Sequence, residues 1–300
     1  MGTATTYGRL ATALGDVRAA KWVATELLRP HDAAGCCCHR VVRANGEPGR
    51  YAHGDAAAKL DALRHDGVDT RNGRVLAMVD VPTADCLASL REWQRELTRL
   101  PEPPASGQSA HVAGLDVSYA AGHAAVAACV SFGADDREIR CDVGKRIGIR
   151  ELPALVAAFD AYVADYGRPN VLLVDGAGSL HPRRTGIAVA VSRVLGVPAI
   201  GVAKSHLCGT VGEERDGVAD VSLDGKRAGV RLRWRSPRMK RDQFLYTSPG
   251  GGITLDDAVR DVRDTLEKDR LPMPIAAADR ISRREAKLRS VKLLKDHQVS

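Results

Sequence analysis

Val171-Leu-Leu-Val-Asp-Gly-Ala-Gly178 sets an aspartate directly after four consecutive apolar residues. Such a run, closed by glycines, reads as a short strand buried on both faces, the kind found inside a parallel sheet. His111-Val-Ala-Gly-Leu-Asp-Val-Ser-Tyr119 carries Asp116 inside another apolar strand. A carboxylate in a buried strand is costly unless something compensates its charge. A divalent cation does so economically, because Mg²⁺ prefers oxygen ligands and keeps several waters. Two neighbouring carboxylates holding Mg²⁺ can activate water and stabilise charge on a phosphodiester. The plainer alternative is that each aspartate caps a turn.

The surrounding chain alternates strands with helices. Strands are predicted over Val112–Tyr119, Ala124–Phe132, Asp142–Ile147, Val171–Val174, Ala199–Ala203 and Arg227–Trp234. Helices are predicted over Leu155–Tyr166, Arg184–Leu195, Leu255–Lys268 and Arg280–Lys295. This rhythm predicts an α/β domain with a mixed sheet. Upstream, Thr83–Leu100 reads as a helix capped by Thr83, with Leu87, Leu90, Trp93, Leu97 and Leu100 at helical spacing. Residues 101–109 are rich in turn formers and read as a linker. Nearer the N-terminus, Thr6–Ala13 and Val17–Leu28 read as helices separated by Gly15-Asp16, followed by turns at Asn45-Gly46 and Pro48-Gly49 and a helix at Ala56–Leu63. A chain of 300 residues exceeds the usual ~100–200 per domain, so two domains are expected.

Composition narrows the classes. With 44% hydrophobic and 27% charged residues the chain is globular. No apolar run approaches the ~18–20 residues of a membrane helix. The start, MGTATTYGRL, lacks an export signal, so a cytoplasmic location is expected. Seven cysteines, three of them adjacent at Cys36, Cys37 and Cys38, do not form a disulfide framework. The net charge of +7 is unevenly spread. Between Asp224 and Asp242 eight Lys/Arg face two acids, and from Arg280 onward seven face two. Clustered positive charge suits a phosphate backbone, although a solvated helix face gives the same pattern.

Asp175-Gly-Ala-Gly-Ser-Leu-His-Pro-Arg-Arg-Thr-Gly-Ile-Ala188, Ile200-Gly-Val-Ala-Lys-Ser-His-Leu-Cys-Gly-Thr210 and Ala113-Gly-Leu-Asp-Val-Ser-Tyr119 resemble endonuclease V. That family is ribonuclease H-like and metal-dependent, and it nicks DNA on the 3′ side of deoxyinosine. The resemblance covers about residues 83–290. It implies that Asp116 and Asp175 hold Mg²⁺, with Mn²⁺ as the alternative. Asp160 stands where the family has a metal-site glutamate, and Asp279 matches the acidic or histidine position near its C-terminus. Lys204 matches a lysine close to the scissile phosphate, and His181 a histidine near the lesion pocket. Glu151, in Glu151-Leu-Pro-Ala154, replaces the tyrosine that wedges into DNA beside the lesion; a carboxylate cannot stack on a base.

The second chemical centre is Cys38-His39-Arg40-Val41. A thiol attacks only as thiolate, so a nucleophilic cysteine needs a neighbour that lowers its pKa. Adjacent residues in extended backbone point apart, so His39 alone does not establish one. Three consecutive thiols do not easily converge on one tetrahedral zinc, and a buried, inert cysteine is the other reading. Thr6-Tyr-Gly8, Arg18-Ala-Ala-Lys-Trp-Val23, Cys38-His-Arg-Val-Val42, Gly49-Arg-Tyr51 and the Lys59…Asp66-Gly67 end resemble the DNA-binding domain of O6-alkylguanine-DNA alkyltransferases. In that family the cysteine accepts the alkyl group irreversibly, without a cofactor. The resemblance makes Cys38 the acceptor, His39 the proton relay, and Tyr7 the residue that helps turn the damaged nucleotide out. Flipping is required, since a thiol cannot reach O6 inside stacked pairs. Lys21 replaces the family's arginine finger, Cys37 and Pro30 replace its proline and asparagine, Asp66 replaces its glutamate, and the family's N-terminal half is absent. With Tyr7 and Lys21, Arg40 completes the DNA-contacting set expected in this part, as Glu151 and His181 do in the other.

The combined expectation is an N-terminal winged-helix (helix-turn-helix) module over residues 1–80 and a ribonuclease H-like nuclease over residues 81–300. Its substrate is damaged double- or single-stranded DNA, with no membrane and no obligatory protein partner. The competing readings are a non-catalytic lesion sensor and a nuclease for inosine RNA or branched DNA.

Overall fold

The computed structural model describes residues 2–29, 31–32, 35–105, 111–120, 125–132, 138–144, 151–235, 242–266 and 270–296. Pro30, residues 106–110 of the expected linker, residues 145–150 and the basic residues 236–241 lie outside this set. The chain forms two compact units, Met1–Trp93 and Gln94–Ser300.

The first unit contains β1 (Thr5–Thr6), α1 (Tyr7–Ala13), α2 (Ala20–Glu26), β2 (Val41–Val42), α3 (Ala56–His65), β3 (Thr70–Arg71) and β4 (Arg74–Val75). Thr6 caps α1, its hydroxyl accepting from the Arg9 N–H, and Asp55 caps α3 in the same way from Ala58. β1 pairs with β2 in parallel, while β3 and β4 form a hairpin. Asn72 and Gly73 turn that hairpin at φ 50 and φ 73, the left-handed pair that matches strand twist. Ala4, Val42, Leu63, Val68 and Val75 make the core. The helix expected from Val17 opens instead as a 3₁₀ turn over Val17–Ala19, capped by Asp16, before α2 begins.

The division between units falls within α4 (Ala88–Arg99), which starts well after Thr83. The second unit is built on a nine-stranded mixed sheet. Its strands are β5 (Val112–Tyr119), β6 (Ala125–Phe132), β7 (Glu138–Gly144), β8 (Val171–Asp175), β9 (Ala199–Ala203), β10 (Thr210–Arg215), β11 (Val218–Leu223), β12 (Lys226–Trp234) and β13 (Gln243–Gly251), in the order β10-β11-β12-β13-β9-β8-β5-β6-β7. β5, β8 and β9 run parallel, and the flanking pairs are antiparallel. The helices are α5 (Leu152–Tyr166), α6 (Ile187–Leu195), α7 (Leu255–Asp264) and α8 (Met273–Asp296).

Val171 and Leu173 join Ile200, Val202, Leu232, Leu245, Val262 and Ile275 in one apolar cluster with α7 and α8. Leu172 and Val174, one residue out of phase, point to the opposite face. That is why the strand is apolar throughout. Ala128, Val130, Ala277, Ala278 and Ile281 extend the seam between β6 and α8.

Several expectations shift. β7 starts at Glu138, before the predicted Asp142, with residues 145–147 of that prediction outside the described residues, and α6 starts at Ile187 because Arg184 has φ 54 and Gly186 holds the N-cap. α8 begins two turns before Arg280, with Pro274 in its first turn, where a missing N–H costs nothing. β10, β11 and β13 had no counterpart in the reading. β10 (TVGEER) has no buried residue, and β13 ends in Pro-Gly-Gly, so neither shows an apolar run. The linker reading fails at Pro103, which is buried against Gly252; a Cβ there would come within 2.8 Å of the proline ring. Among the described residues, no helix is long and apolar enough to cross a membrane.

Candidate active site

Parallel pairing of β5 with β8 ends at Leu115 and Val174, so the next residues, Asp116 within β5 and Asp175 at the end of β8, stand side by side. The third carboxylate comes from α8. Gly114 makes its approach feasible, since a Cβ there would sit 2.3 Å from the Pro274 carbonyl carbon. One turn further along α8, Asp279 reaches these two aspartates. Oxygens of Asp116, Asp175 and Asp279 all lie within 4.8 Å of one another.

Asp116 is 7% exposed. Burial, with the negative charges of Asp175 and Asp279, pushes its carboxyl up to about 7, against the pull of a hydrogen bond from Ser282. The Ser282 hydroxyl donates to Asp116 Oδ2 at 2.6 Å and lies 2.9 Å from Ser118 Oγ. Lys204 Nζ is 2.5 Å from Asp175 Oδ2, and Arg283 is 2.9 Å from Asp279 Oδ1. A buried carboxyl that resists ionisation at neutral pH marks a site short of positive charge. Its oxygen-only donors fit a hard divalent cation such as Mg²⁺ or Mn²⁺. Beside it, Lys204, Arg270, Asp279, Arg280 and Arg283 line a cleft of about 330 Å³, four cations to one acid.

Other expected residues stand elsewhere. Asp160 is exposed on α5, whose neighbours Phe159 and Tyr162 are buried, so helical periodicity turns it away; it does not belong to the carboxylate trio. His181 is half-buried in the loop after β8, and its Nδ1 accepts from the Arg183 N–H at 3.2 Å. Glu151 precedes α5 and accepts from the Tyr119 hydroxyl at 3.3 Å. Sequence reasoning missed Ser282, although it follows Asp279 by three residues and so shares its helix face. It also missed Arg270 and Tyr119; the Tyr119 ring is exposed beside Glu151. The basic stretch at residues 224–242 is largely neutralised where described: Arg227 pairs with Asp220 and Asp256, and Arg231 and Arg233 pair with Glu214.

In the first unit, Cys38 is 5% exposed. Burial and the neighbouring Cys36 thiol push Cys38 up to about 11. His39 Nε2 is 2.6 Å from Asp66 Oδ2, which the Arg40 guanidinium also meets at 2.7 Å. These two hydrogen bonds hold the Asp66 carboxyl down to about 2. An ionised carboxylate only accepts, so His39 carries a proton on Nε2, which leaves Nδ1 as the acceptor of the neutral ring. Lys59, 1% exposed, donates to the Val41 carbonyl at 2.7 Å, the Arg50 carbonyl at 3.2 Å and the Tyr7 hydroxyl at 3.3 Å. Burial lowers its ammonium to about 8. Lys21 is exposed on α2. The flanks of Cys38 hold a feature that sequence did not anticipate: Cys36 and Cys38, separated by the exposed Cys37, converge with His31 and His53.

A mixed α/β sheet that gathers three carboxylates and a lysine where its parallel pairing ends, beside a basic cleft, has the form of a nuclease. Comparison with known proteins gives the family. The Endonuclease V family model matches residues 92–280, and the chain belongs to that family. Residues 1–68 match the 6-O-methylguanine DNA methyltransferase DNA-binding domain. A bifunctional methyltransferase/endonuclease of Picrophilus torridus is 29% identical over 278 residues, covering 90% of this chain and 87% of that protein. An Endonuclease V of Alkalilimnicola ehrlichii is 42% identical over 139 residues, covering 45% of this chain and 58% of that protein. The crystal structure of Endonuclease V from Streptomyces avermitilis matches with a TM-score of 0.56 and 27% identity, over 66% of this chain and 91% of that one.

Proposed function

We propose that this protein is a bifunctional DNA-repair enzyme: a Mg²⁺-dependent endonuclease that nicks DNA 3′ to deoxyinosine, joined to a winged-helix module that takes alkyl groups from O6-alkylguanine onto Cys38. The observation that carries the nuclease reading is the convergence of Asp116, Asp175 and Asp279 with Lys204 at 2.5 Å from Asp175. These three aspartates would hold the ion, with Mn²⁺ as the alternative, and when bound it supplies Lewis-acid charge for phosphodiester hydrolysis. Ser282 keeps Asp116 able to ionise. Lys204 offers a point charge for the phosphate in the transition state. Arg270, Arg280 and Arg283 position the backbone on either side of it. Tyr119 presents an exposed ring where Glu151 offers none. The experiment is nicking of a duplex with one deoxyinosine, beside inosine RNA and a flap substrate. Wild-type protein should cut the deoxyinosine strand only with Mg²⁺ or Mn²⁺, and Asp175→Asn should not. Equal cutting by Asp175→Asn, or preference for RNA, would overturn the assignment.

In the first unit the thiol of Cys38 is protonated at neutral pH, so attack needs a base. His39 Nδ1 takes that proton through a water, and Asp66 steadies the resulting imidazolium. As the sulfur–carbon bond forms, the carbon–O6 bond breaks and the guanine leaves with a proton from solvent. The open cleft of about 610 Å³ lined by Arg43, Gly49, Arg50 and Tyr51 is large enough for an everted base. After incubation with O6-methylguanine DNA, Cys38 should gain the mass of one CH₂. An unmodified Cys38 would reduce the module to DNA binding.

A further inference from the structure

The cysteine cluster of the first unit holds four soft or borderline donors, and alkyl transfer uses one of them. Cys36 Sγ, Cys38 Sγ and one ring nitrogen each of His31 and His53 lie within 4.8 Å of one another. His31 Nε2 is 2.9 Å from Cys36 Sγ and 3.1 Å from His53 Nε2. The other His31 nitrogen, Nδ1, is 2.6 Å from the Arg29 carbonyl oxygen. That carbonyl can only accept, so Nδ1 carries a proton, and in the neutral ring, the form a metal binds, Nε2 offers its lone pair to the cluster. A backbone carbonyl on the outer nitrogen is also the usual partner of a metal-ligating histidine. The His31 and His53 rings cross at 80°, so their Nε2 atoms meet without stacking. Cys37, between the two thiols, turns its Sγ to the Gly35 carbonyl instead.

We propose that His31, Cys36, Cys38 and His53 bind one Zn²⁺ ion. Two thiolates and two imidazoles are a tetrahedral zinc set. Bond lengths of about 2.0–2.1 Å to nitrogen and about 2.3 Å to sulfur give ligand–ligand edges of roughly 3.3–3.8 Å. The separations of 2.9 and 3.1 Å lie a few tenths of an ångström below that range, so small side-chain shifts bring these donors onto one ion. Binding exchanges two thiol protons for the ion, so a neutral site forms and two protons are released per zinc. The ligand spacing departs from that of zinc fingers, which is why adjacency in space reveals the site and sequence does not. A zinc-bound Cys38 thiolate is not the free thiol that His39 deprotonates, so the ion and the alkyl group compete for Cys38 Sγ; the inference does not rest on Cys38 being an alkyl acceptor.

The test uses the full chain, loaded with one equivalent of Zn²⁺ or Co²⁺ and desalted. Wild-type protein should retain one zinc per chain by elemental analysis and show thiolate-to-cobalt charge transfer with Co²⁺. Cys37→Ser and Asp175→Asn should retain both signals. Cys36→Ser and His53→Ala should lose them, with zinc affinity falling by more than the roughly 10–100-fold of an outer-shell change. With chelator present, Cys36→Ser and wild type should unfold at the same temperature, which separates ligand loss from misfolding. Zinc retained by Cys36→Ser but lost by Asp175→Asn, or no charge-transfer band in the wild type, would overturn the proposal.

Discussion

Replacing Ser282 with alanine removes the hydrogen bond that lets Asp116 carry charge. The hydroxyl donates at 2.6 Å to a carboxyl already pushed up to about 7 by burial and by two neighbouring acids. A hydrogen bond to a charged group contributes about 1.5–3 kcal/mol, and each pKa unit corresponds to about 1.36 kcal/mol. The substitution should therefore raise Asp116 by about one to two units. At pH 7 its ionised fraction drops from about half to roughly 1–10%. Divalent-ion binding requires the carboxylate, so apparent Mg²⁺ affinity should fall about 5- to 50-fold at pH 7 and by about twofold or less at pH 9. The assay is nicking rate at subsaturating Mg²⁺ across that range, where the acidic limb of the profile should move to higher pH. A loss of equal size at every pH, with the limb unmoved, would mean that Ser282 only packs the helix and would refute the reasoning.

Gly114→Ala should drive a Cβ into Pro274 and lift α8 from β5; overpacking of about 1–3 kcal/mol lowers Tm by roughly 2–12 °C, and an unchanged melting curve would contradict the close approach. Lys59→Met tests the buried ammonium. The folded chain releases that proton near 8 and the unfolded chain near 10.5, so between these values the unfolded state binds more protons. Wild-type stability should then gain on the variant as pH rises through that window, and a Tm difference flat with pH would contradict it. Arg283→Ala should flatten the salt dependence of DNA affinity by about one unit of slope in log K against log salt; an unchanged slope would remove Arg283 from the phosphate path.

The strands that carry chemistry were the most legible. β5 and β9 coincide with the apolar runs that announced them, because burial on both faces leaves a continuous signal. The edge strand β10 and its neighbour β11 were not legible: they are held by hairpin pairing and show no long apolar run. Of the site, Asp116, Asp175 and Lys204 could be named from their segments. Asp160 could not be excluded without knowing which face of α5 meets the sheet, a matter of tertiary packing. Ser282 and the His31–His53 pair acquire meaning only when chain separations of 166 and 22 residues close in space.

The nuclease reading stands on three carboxylates sharing one hard cation, and Mn²⁺ binding followed by electron paramagnetic resonance tests this directly. Wild-type protein should show a Mn²⁺ site that Asp116→Asn and Asp175→Asn lose, with Asp160→Asn binding as wild type. Undiminished Mn²⁺ binding by Asp175→Asn, or loss with Asp160→Asn alone, would contradict it.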